Sequence, residues 1–318
     1  MTAEDAPAAP LAARQYLGSA DLPALLDFAS RCTAQRSPLG CSWHPGDIIW
    51  ALQTRADEPQ PWRFWVGPDG VEAMAWFESD GEVWIETLPA SESLAADAVA
   101  WVEAAWRSQL AGEGRDPSTP VQIRAESHDA DRIAALEALG YRKAGAAGVG
   151  FRLRLDLPVP PAALPPGYSV RDSVGVDPAL RAAAHRAAWD HLEHLGMPNA
   201  KSRFSTEAYL SLTRLPVYDP TLDMLAVAPD GTLVASCICW PDAPSGVATF
   251  EPVGVTLAHR GRRLTGAILR EAATRLRARG HTEARVGTAH FNLSAIKAYL
   301  AAGFEPAGAS HWWAKTLG

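Results

Sequence analysis

The residues that could do chemistry crowd into one segment of this chain. It reads Glu251-Pro-Val-Gly-Val255, then His259-Arg-Gly-Arg-Arg-Leu-Thr-Gly-Ala267, with Asn292, Tyr299 and Gly303-Phe304 following. An apolar strand, a basic turn containing glycine and a helix start, in that order, make a pocket for pyrophosphate. Backbone N–H groups aim at the anion, the helix N-terminus adds partial positive charge, and glycine permits close approach. Basic charge gathers at Arg260, Arg262, Arg263, Arg270, Arg275, Arg277 and Arg279 on a chain of net charge −7. Such a cluster on an acidic protein points to a small anionic ligand, with Arg275 to Arg279 expected on a solvated helix face.

These residues resemble the acyl-CoA-binding core of the GCN5-related N-acetyltransferase (GNAT) superfamily, over roughly the last hundred residues. The signature turn of that family is Arg-x-x-Gly-x-Gly/Ala. Arg260 fills its first position, whereas Arg263 and Thr265 stand where small residues are expected. Arg263 either crowds the phosphate or binds it as a cation. An alternative register, Arg263-x-x-Gly266, restores one glycine and shifts the helix start by about one turn. The flanks Val253-Gly254-Val255, Leu264, Asn292, Ala295, Tyr299 and Gly303-Phe304 fit the family pattern.

The resemblance implies acetyl-CoA, or another acyl-CoA, as co-substrate and no metal. Its contacts would be Val253, Gly254, Val255, Arg260, Gly261, Arg262, Arg263, Leu264, Thr265, Gly266 and Asn292. It implies Tyr299 as the general acid that protonates the departing sulfur. Asn292 either contacts the cofactor or caps a helix. Glu251 lies in an apolar stretch, where burial would raise its pKa and make it a base near neutral pH. The alternative is a carboxylate paired with a nearby arginine; Asp242 and Glu193 stand in reserve. Substrate contacts are expected from Trp189, His191, His194, Trp240 and Asp242.

Elements in the right order must hold these groups. A strand over 247–255, a helix over 264–279, a strand over 284–289, a helix near 294–302 and a strand near 311–315 are expected. Leu264, Ile268, Ala272 and Leu276 form the buried stripe of the long helix. Helices are also expected over 178–195 and 206–213. Gly280 stops the long helix as a left-handed cap.

The chain reads as built twice. Pro68-Asp-Gly70 and Pro229-Asp-Gly231 each sit between two apolar strands, an offset of 161 positions, and Gly140-Tyr141 matches Gly303-Phe304 at 163. Near-equal offsets favour duplication. The proline-rich stretch 157–167 reads as a semi-rigid linker. The expected organisation is therefore α/β (α+β), with two tandem GNAT-like domains, each a mixed, largely antiparallel sheet flanked by helices. Residues 1–156 form a degenerate domain without the phosphate loop. Residues 168–318 form the catalytic one. Residues 96–110 read as a helix burying Val99, Val102 and Trp106.

Composition bounds the function. An apolar fraction of 47% suits a globular fold, and no run of about 18 apolar residues predicts a membrane span. Net negative charge disfavours nucleic acid. Met1 to Ala13 reads as a loose tail and not a signal peptide, so a cytoplasmic protein is expected. Four cysteines are too few for a disulfide scaffold, and Cys237 and Cys239 read as core. No cysteine–histidine spacing suggests zinc. The expected partner is a small-molecule amine, and the protein is a monomer or a homodimer. A pseudoenzyme with an altered CoA pocket, a ligand-binding protein, and an enzyme doing other acyl chemistry on this fold are the alternatives.

Overall fold

The structure, a computed structural model, describes residues 12–35, 43–53, 56–58, 60–79, 81–161, 163–190, 192, 195 and 202–318. Its strands and helices follow in chain order. The first half has β1 Ala12–Tyr16, α1 Leu22–Gln35, α2 Pro45–Leu52, β2 Gln60–Gly67, β3 Gly70–Ser79, β4 Glu82–Thr87, α3 Leu94–Glu113, β5 Val121–Glu126, α4 Ala130–Ala138 and β6 Arg142–Arg154. The second has β7 Ser169–Asp172, α5 Pro178–Trp189, α6 Thr206–Leu212, β8 Asp223–Val227, β9 Leu233–Asp242, β10 Val247–Val255, α7 Leu264–Ala278, β11 Glu283–Ala289, α8 Leu293–Ala302 and β12 Glu305–Lys315.

Two compact units result. One comprises Met1–Ser42, Ala56–Ala147 and Ala309–Gly318; the other comprises Trp43–Arg55 and Gly148–Gly308. The first has strand order β1-β2-β3-β4-β5-β12, and the second β6-β11-β10-β9-β8-β7. Pairing is antiparallel except where β4 meets β5 and β10 meets β11. The Pro-Asp-Gly turns close hairpins in both units, with Gly70 at φ 109° and Gly231 at φ 87°. Those angles suit glycine, which has no Cβ to clash.

The units do not follow the expected cut at 157–167. Strand β6 precedes the proline-rich stretch yet pairs with β11, from Gly148↔Ala289 to Arg154↔Glu283. Strand β12 closes the chain yet pairs with β5, from Lys315↔Val121 to Ser310↔Glu126. Each half thus gives its last strand to the other unit. The stretch itself packs on the second unit's core through Val159 and Leu164. At the N-terminus, Ala12 and Ala13 pair with Val66 and Trp65, so the expected tail ends sooner; residues 1–11 lie outside the described residues.

Helix α2 is also exchanged, packing on β9 and β10. His44 anchors it. Its Nδ1 accepts from Gly46 N at 3.0 Å, and its Nε2 faces Val247 O at 3.3 Å. Asp47 returns a bond to His44 N at 2.8 Å, completing a capping box. The ring is therefore neutral, with the proton on Nε2. Gly46 permits the approach, since a Cβ there would lie 2.3 Å from Cβ of Trp240.

In the second unit, α7 and α8 pack on one apolar cluster. Leu264, Ile268, Ala272 and Leu276 are all at most 1% exposed, beside Cys237, Cys239, Phe250 and Phe304. Helices α5 and α6 are pinned by a buried polar centre. Asp223 and Arg181 are fully buried and ion-paired at 2.8 Å, with Arg181 Nε 2.9 and 3.0 Å from the two carboxylate oxygens. Tyr209 and Tyr218 also donate to Asp223 Oδ2, at 3.0 and 3.1 Å. Of the arginines expected to face solvent, Arg277 is exposed; Arg275 is half-buried and reaches Asp172 at 2.6 Å, and Arg279, exposed at the C-cap of α7, reaches Asp219 at 2.7 Å.

Two expectations follow. Removing one partner of a buried pair strands the other charge, at about 3–5 kcal/mol. Asp223→Ala should lower the unfolding free energy by that amount in urea titrations, and Arg181→Met with Asp223→Leu should recover most of it. Burial holds the His44 imidazole down at about 4, with Asp242 opposing and Arg285 and His281 assisting. The unfolded ring titrates near 6.5. Between those values the unfolded chain binds more protons, so stability should be full above pH 6.5 and fall as pH drops towards 4. His44→Asn, which keeps a cap acceptor, should make that pH slope shallower.

Candidate active site

Strands β10 and β11 run parallel from Val247↔Glu283 to Thr249↔Arg285, and their pairing ends there. A bulge between Phe250 and Val253 shifts the pairing of β10 with β9. Beyond the paired residues lies a cleft of about 650 Å³. Its lining includes Val253, Gly254 and Val255 of β10, the turn into α7, Asn292, and Ala295, Ala298 and Tyr299 of α8. Trp189, Leu192 and Leu195 complete an apolar side.

The turn is shaped for an anion. Gly261 (φ 77°) and Arg263 (φ 62°) are both left-handed. Consecutive N–H groups in such turns form an anion-binding concavity. Intrahelical bonding begins with Ala267 N to Arg263 O at 3.2 Å, so the N–H groups of Leu264, Thr265 and Gly266 precede it. Arg263 therefore takes the backbone form for which glycine is the usual choice, at a cost of roughly 1–2 kcal/mol. Arg262 and Arg263 are exposed. Gly266 would place a Cβ 3.7 Å from Cβ of Ala302, an ordinary contact between α7 and α8.

Arg260 has work inside the protein. Its guanidinium donates to Val255 O and Ala188 O, each at 3.3 Å. It ties the end of β10 to the end of α5 and so holds the cleft's rim. His259 Nδ1 lies 2.8 Å from Tyr168 Oη, and Arg262 stands over the same ring at 6.0 Å. Asn292 caps α8: its Oδ1 accepts from Ala295 N at 3.2 Å and its Nδ2 donates to Thr288 Oγ1 at 3.0 Å.

Tyr299 is 5% exposed and packs against Phe151 and Phe304. Burial raises its pKa well above that of a free phenol, and the charge of Glu251 adds to this. It stays protonated at neutral pH. Glu251 departs from expectation. Its side chain is exposed, and it is absent from the cleft lining, because the bulge turns it outward from the apolar run. Its backbone oxygen accepts from Trp240 Nε1 at 2.6 Å. Trp240 is fully buried and Asp242 sits at the other end of β9 beside Val247, so neither expected substrate contact lines the cleft. Trp189 does. His191 and His194, and the reserve Glu193, lie outside the described residues.

Sequence reading missed the aromatic group behind Trp189. His185 stacks on Trp189 at 5.7 Å and touches Phe204 at 4.6 Å and Trp50 at 5.7 Å. Burial, then Arg181 and Arg186, hold His185 down at about 3, so it is neutral. Trp50 arrives on α2, whose start was signalled by Pro45 at N1 and Asp47 at N3.

The first unit has the same plan with its groove filled. Strands β4 and β5 pair in parallel only at Glu82↔Gln122 and Val83↔Ile123. Asp129 caps α4 as Asn292 caps α8. Three residues on, where α8 has Ala295, α4 has Arg132. Its guanidinium is buried against Ile85 O, Thr87 Oγ1 and Glu92.

Arg263→Gly should leave unfolding stability unchanged or raise it by up to about 1 kcal/mol. Arg263→Val, whose branched Cβ resists left-handed backbone, should lower it by about 1 kcal/mol or more in the same denaturant titration.

Residues 188–304 match the sequence model of the Acetyltransferase (GNAT) family. No curated protein matches the chain significantly by sequence. Among solved structures, a GCN5-related N-acetyltransferase from Sphaerobacter thermophilus is similar, at 23% identity and TM-score 0.59, over 96% of this chain and 95% of that one. A tandem GNAT protein from the clavulanic acid biosynthesis pathway aligns at 17% identity and TM-score 0.62, over 97% and 99%. A GNAT-family acetyltransferase from Colwellia psychrerythraea aligns at 15% identity and TM-score 0.55, over 95% and 99%. Residues 188–304 are therefore similar in sequence to the GNAT acetyltransferase family, and the chain has the fold of solved GNAT proteins, a tandem one included.

Proposed function

We propose that this protein is a cytoplasmic acyltransferase. It moves an acetyl or related acyl group from acyl-CoA to an amine of a small molecule by direct attack in a ternary complex. The observation that carries this reading is the parted β10–β11 pair ending on the N-terminus of α7. No described helix is long and apolar enough to cross a membrane. Cys237 and Cys239 are fully buried with pKa values raised by burial, which disfavours a thiol nucleophile.

When bound, acyl-CoA supplies an activated thioester. The N–H groups around Gly261 to Gly266 hold the diphosphate, assisted by Arg262 and Arg263. The apolar walls at Val253, Leu192 and Leu195 exclude water. Tyr299, kept protonated, donates its phenolic proton to the departing sulfur. Glu251, whose charge is felt at Tyr299, accepts the amine's proton through water. The first unit serves as support, its groove closed by Arg132.

A second reading is favoured by one observation, the exposure of Glu251. It is a CoA-binding protein without turnover. Calorimetry with acetyl-CoA and with CoA, followed by an amine screen read by thiol release, separates the two. Binding with no thiol release from any amine supports the second; no binding of either nucleotide rejects both. In the active enzyme, Tyr299→Phe should lower kcat by about a hundredfold and leave CoA affinity within about twofold. Unchanged kcat removes Tyr299 from the acid role.

A further inference from the structure

We propose that the acceptor of this acyltransferase is an amine that also carries a carboxylate, and that Arg152 receives the carboxylate. The inference rests on the acyltransferase reading and names the class of its acceptor. Arg152 lies on β6, and its Cα partner on β11 is Arg285. Directly opposite residues of an antiparallel pair project to one face of the sheet, and successive residues alternate between faces. Phe151, Leu153, Ala284 and Val286 join the apolar cluster that packs on α7 and α8. Arg152 and Arg285 therefore project from the other face. Neither lines the cleft assigned to the donor, so neither is placed for its diphosphate.

Like charges set opposite one another are destabilising unless acids compensate them. The neighbours of Arg152 are compensated: Arg285 pairs with Glu283 at 2.5 Å, and Arg154 pairs with Asp156. Arg152 has no hydrogen bond or ion pair among the described residues, and its Nε is buried without an acceptor. A buried, unmatched guanidinium donor is costly, which points to an anion that arrives from outside. The way in is open. Arg152 is only half-buried, and Nε alone of its nitrogens is hidden from solvent. On the same face, towards the parting of β10 and β11, the next Cα pair is Gly150 with Gly287, and Gly287 is exposed. Thr249 is the partner of Arg285 on β10, so exposed Glu251 stands about level with Gly287. The Cα atoms of Glu251 and Arg152 are thus two strand spacings across and two residues along from each other, roughly 12 Å apart. Two long side chains of opposite charge at that separation bracket a small amino acid. Its amine lies towards Glu251, and its carboxylate meets the planar fork of Arg152.

Thiol release from acetyl-CoA is measured with matched amines that differ only by the carboxylate. The pairs are β-alanine against ethylamine, γ-aminobutyrate against propylamine, and ε-aminocaproate against pentylamine. In the wild-type protein a carboxylated member should exceed its plain partner in kcat/KM by about tenfold to a hundredfold, as a hydrogen bond between charged groups provides. Arg152→Gln should abolish that preference by raising KM for the carboxylated amine. It should leave kcat/KM for the plain amine, and the calorimetric affinity for acetyl-CoA, within about twofold of wild type. Arg152→Lys, which keeps the charge and loses the fork, should retain part of the preference. Preserved acetyl-CoA affinity shows that the variants are folded. A wild-type protein that prefers the carboxylated member of no pair overturns the proposal and leaves the acyltransferase reading standing. So does an Arg152→Gln protein that keeps the preference, or one that loses both members of a pair equally. A wild-type protein that releases thiol with no amine overturns the acyltransferase reading itself, and the role of Arg152 with it.

Discussion

Asp223 has no contact with solvent, and the second unit is arranged around satisfying it. A buried carboxylate is costly unless paired and fully hydrogen-bonded. Here the donors come from three places: Arg181 on α5, Tyr209 on α6 and Tyr218 on the connection to β8. Meeting them fixes α5 over β9 and β10. The far end of α5 then presents Ala188 O to Arg260 and the Trp189 indole to Gly254. The Trp189 side of the cleft therefore inherits its geometry from a charge pair near the opposite end of the same helix. Burial, and then the charge of Asp223, raise the pKa values of Tyr209 and Tyr218, keeping both phenols protonated as donors.

The two units make different use of one plan. In both, a parallel strand pair parts after a few residues and a capped helix follows. In the second unit the space between is a cleft. In the first, one long cationic side chain fills it and bonds to strand atoms. Where α8 carries Ala295 beside an open cleft, α4 carries Arg132, whose buried guanidinium bonds to Ile85 O and Thr87 Oγ1. The exchange of β6 and β12 gives each unit a strand from the other half of the chain. It also makes a cut at the proline-rich stretch an unsuitable way to isolate either unit, since each half would lack its partner strand and expose a sheet edge.

Much of this was legible from residues alone. Helix α7 was readable because Leu264, Ile268, Ala272 and Leu276 recur at one face, and hydrophobic periodicity is a local signal. The turn into α7 was readable because glycine and helix starts have local rules. Glu251 was misjudged for a physical reason: an apolar neighbourhood in sequence implies burial only while the strand stays regular. The bulge after Phe250 rotates the side chain out of that pattern. Trp240 and Asp242 fall outside the cleft lining because alternation along a strand shows which residues share a face, and not which end of the strand meets the cleft. Trp50 and His185 carried no local mark of a joint role, since they lie far apart in sequence and meet only through packing.

What the sequence by itself determined is the set of local commitments: the hairpins at the Pro-Asp-Gly turns, the long helices, their caps with Gly280 left-handed, and a glycine-containing turn before α7. These depend on neighbours within a few residues. Tertiary structure alone decided which strands pair across the chain, that Arg260 braces the rim, that Arg132 is buried against Ile85 and Thr87, and that the Trp189 indole packs beside Gly254. Those outcomes depend on burial. A buried charge or donor seeks the partner that arrives with distant segments, and no local rule names it.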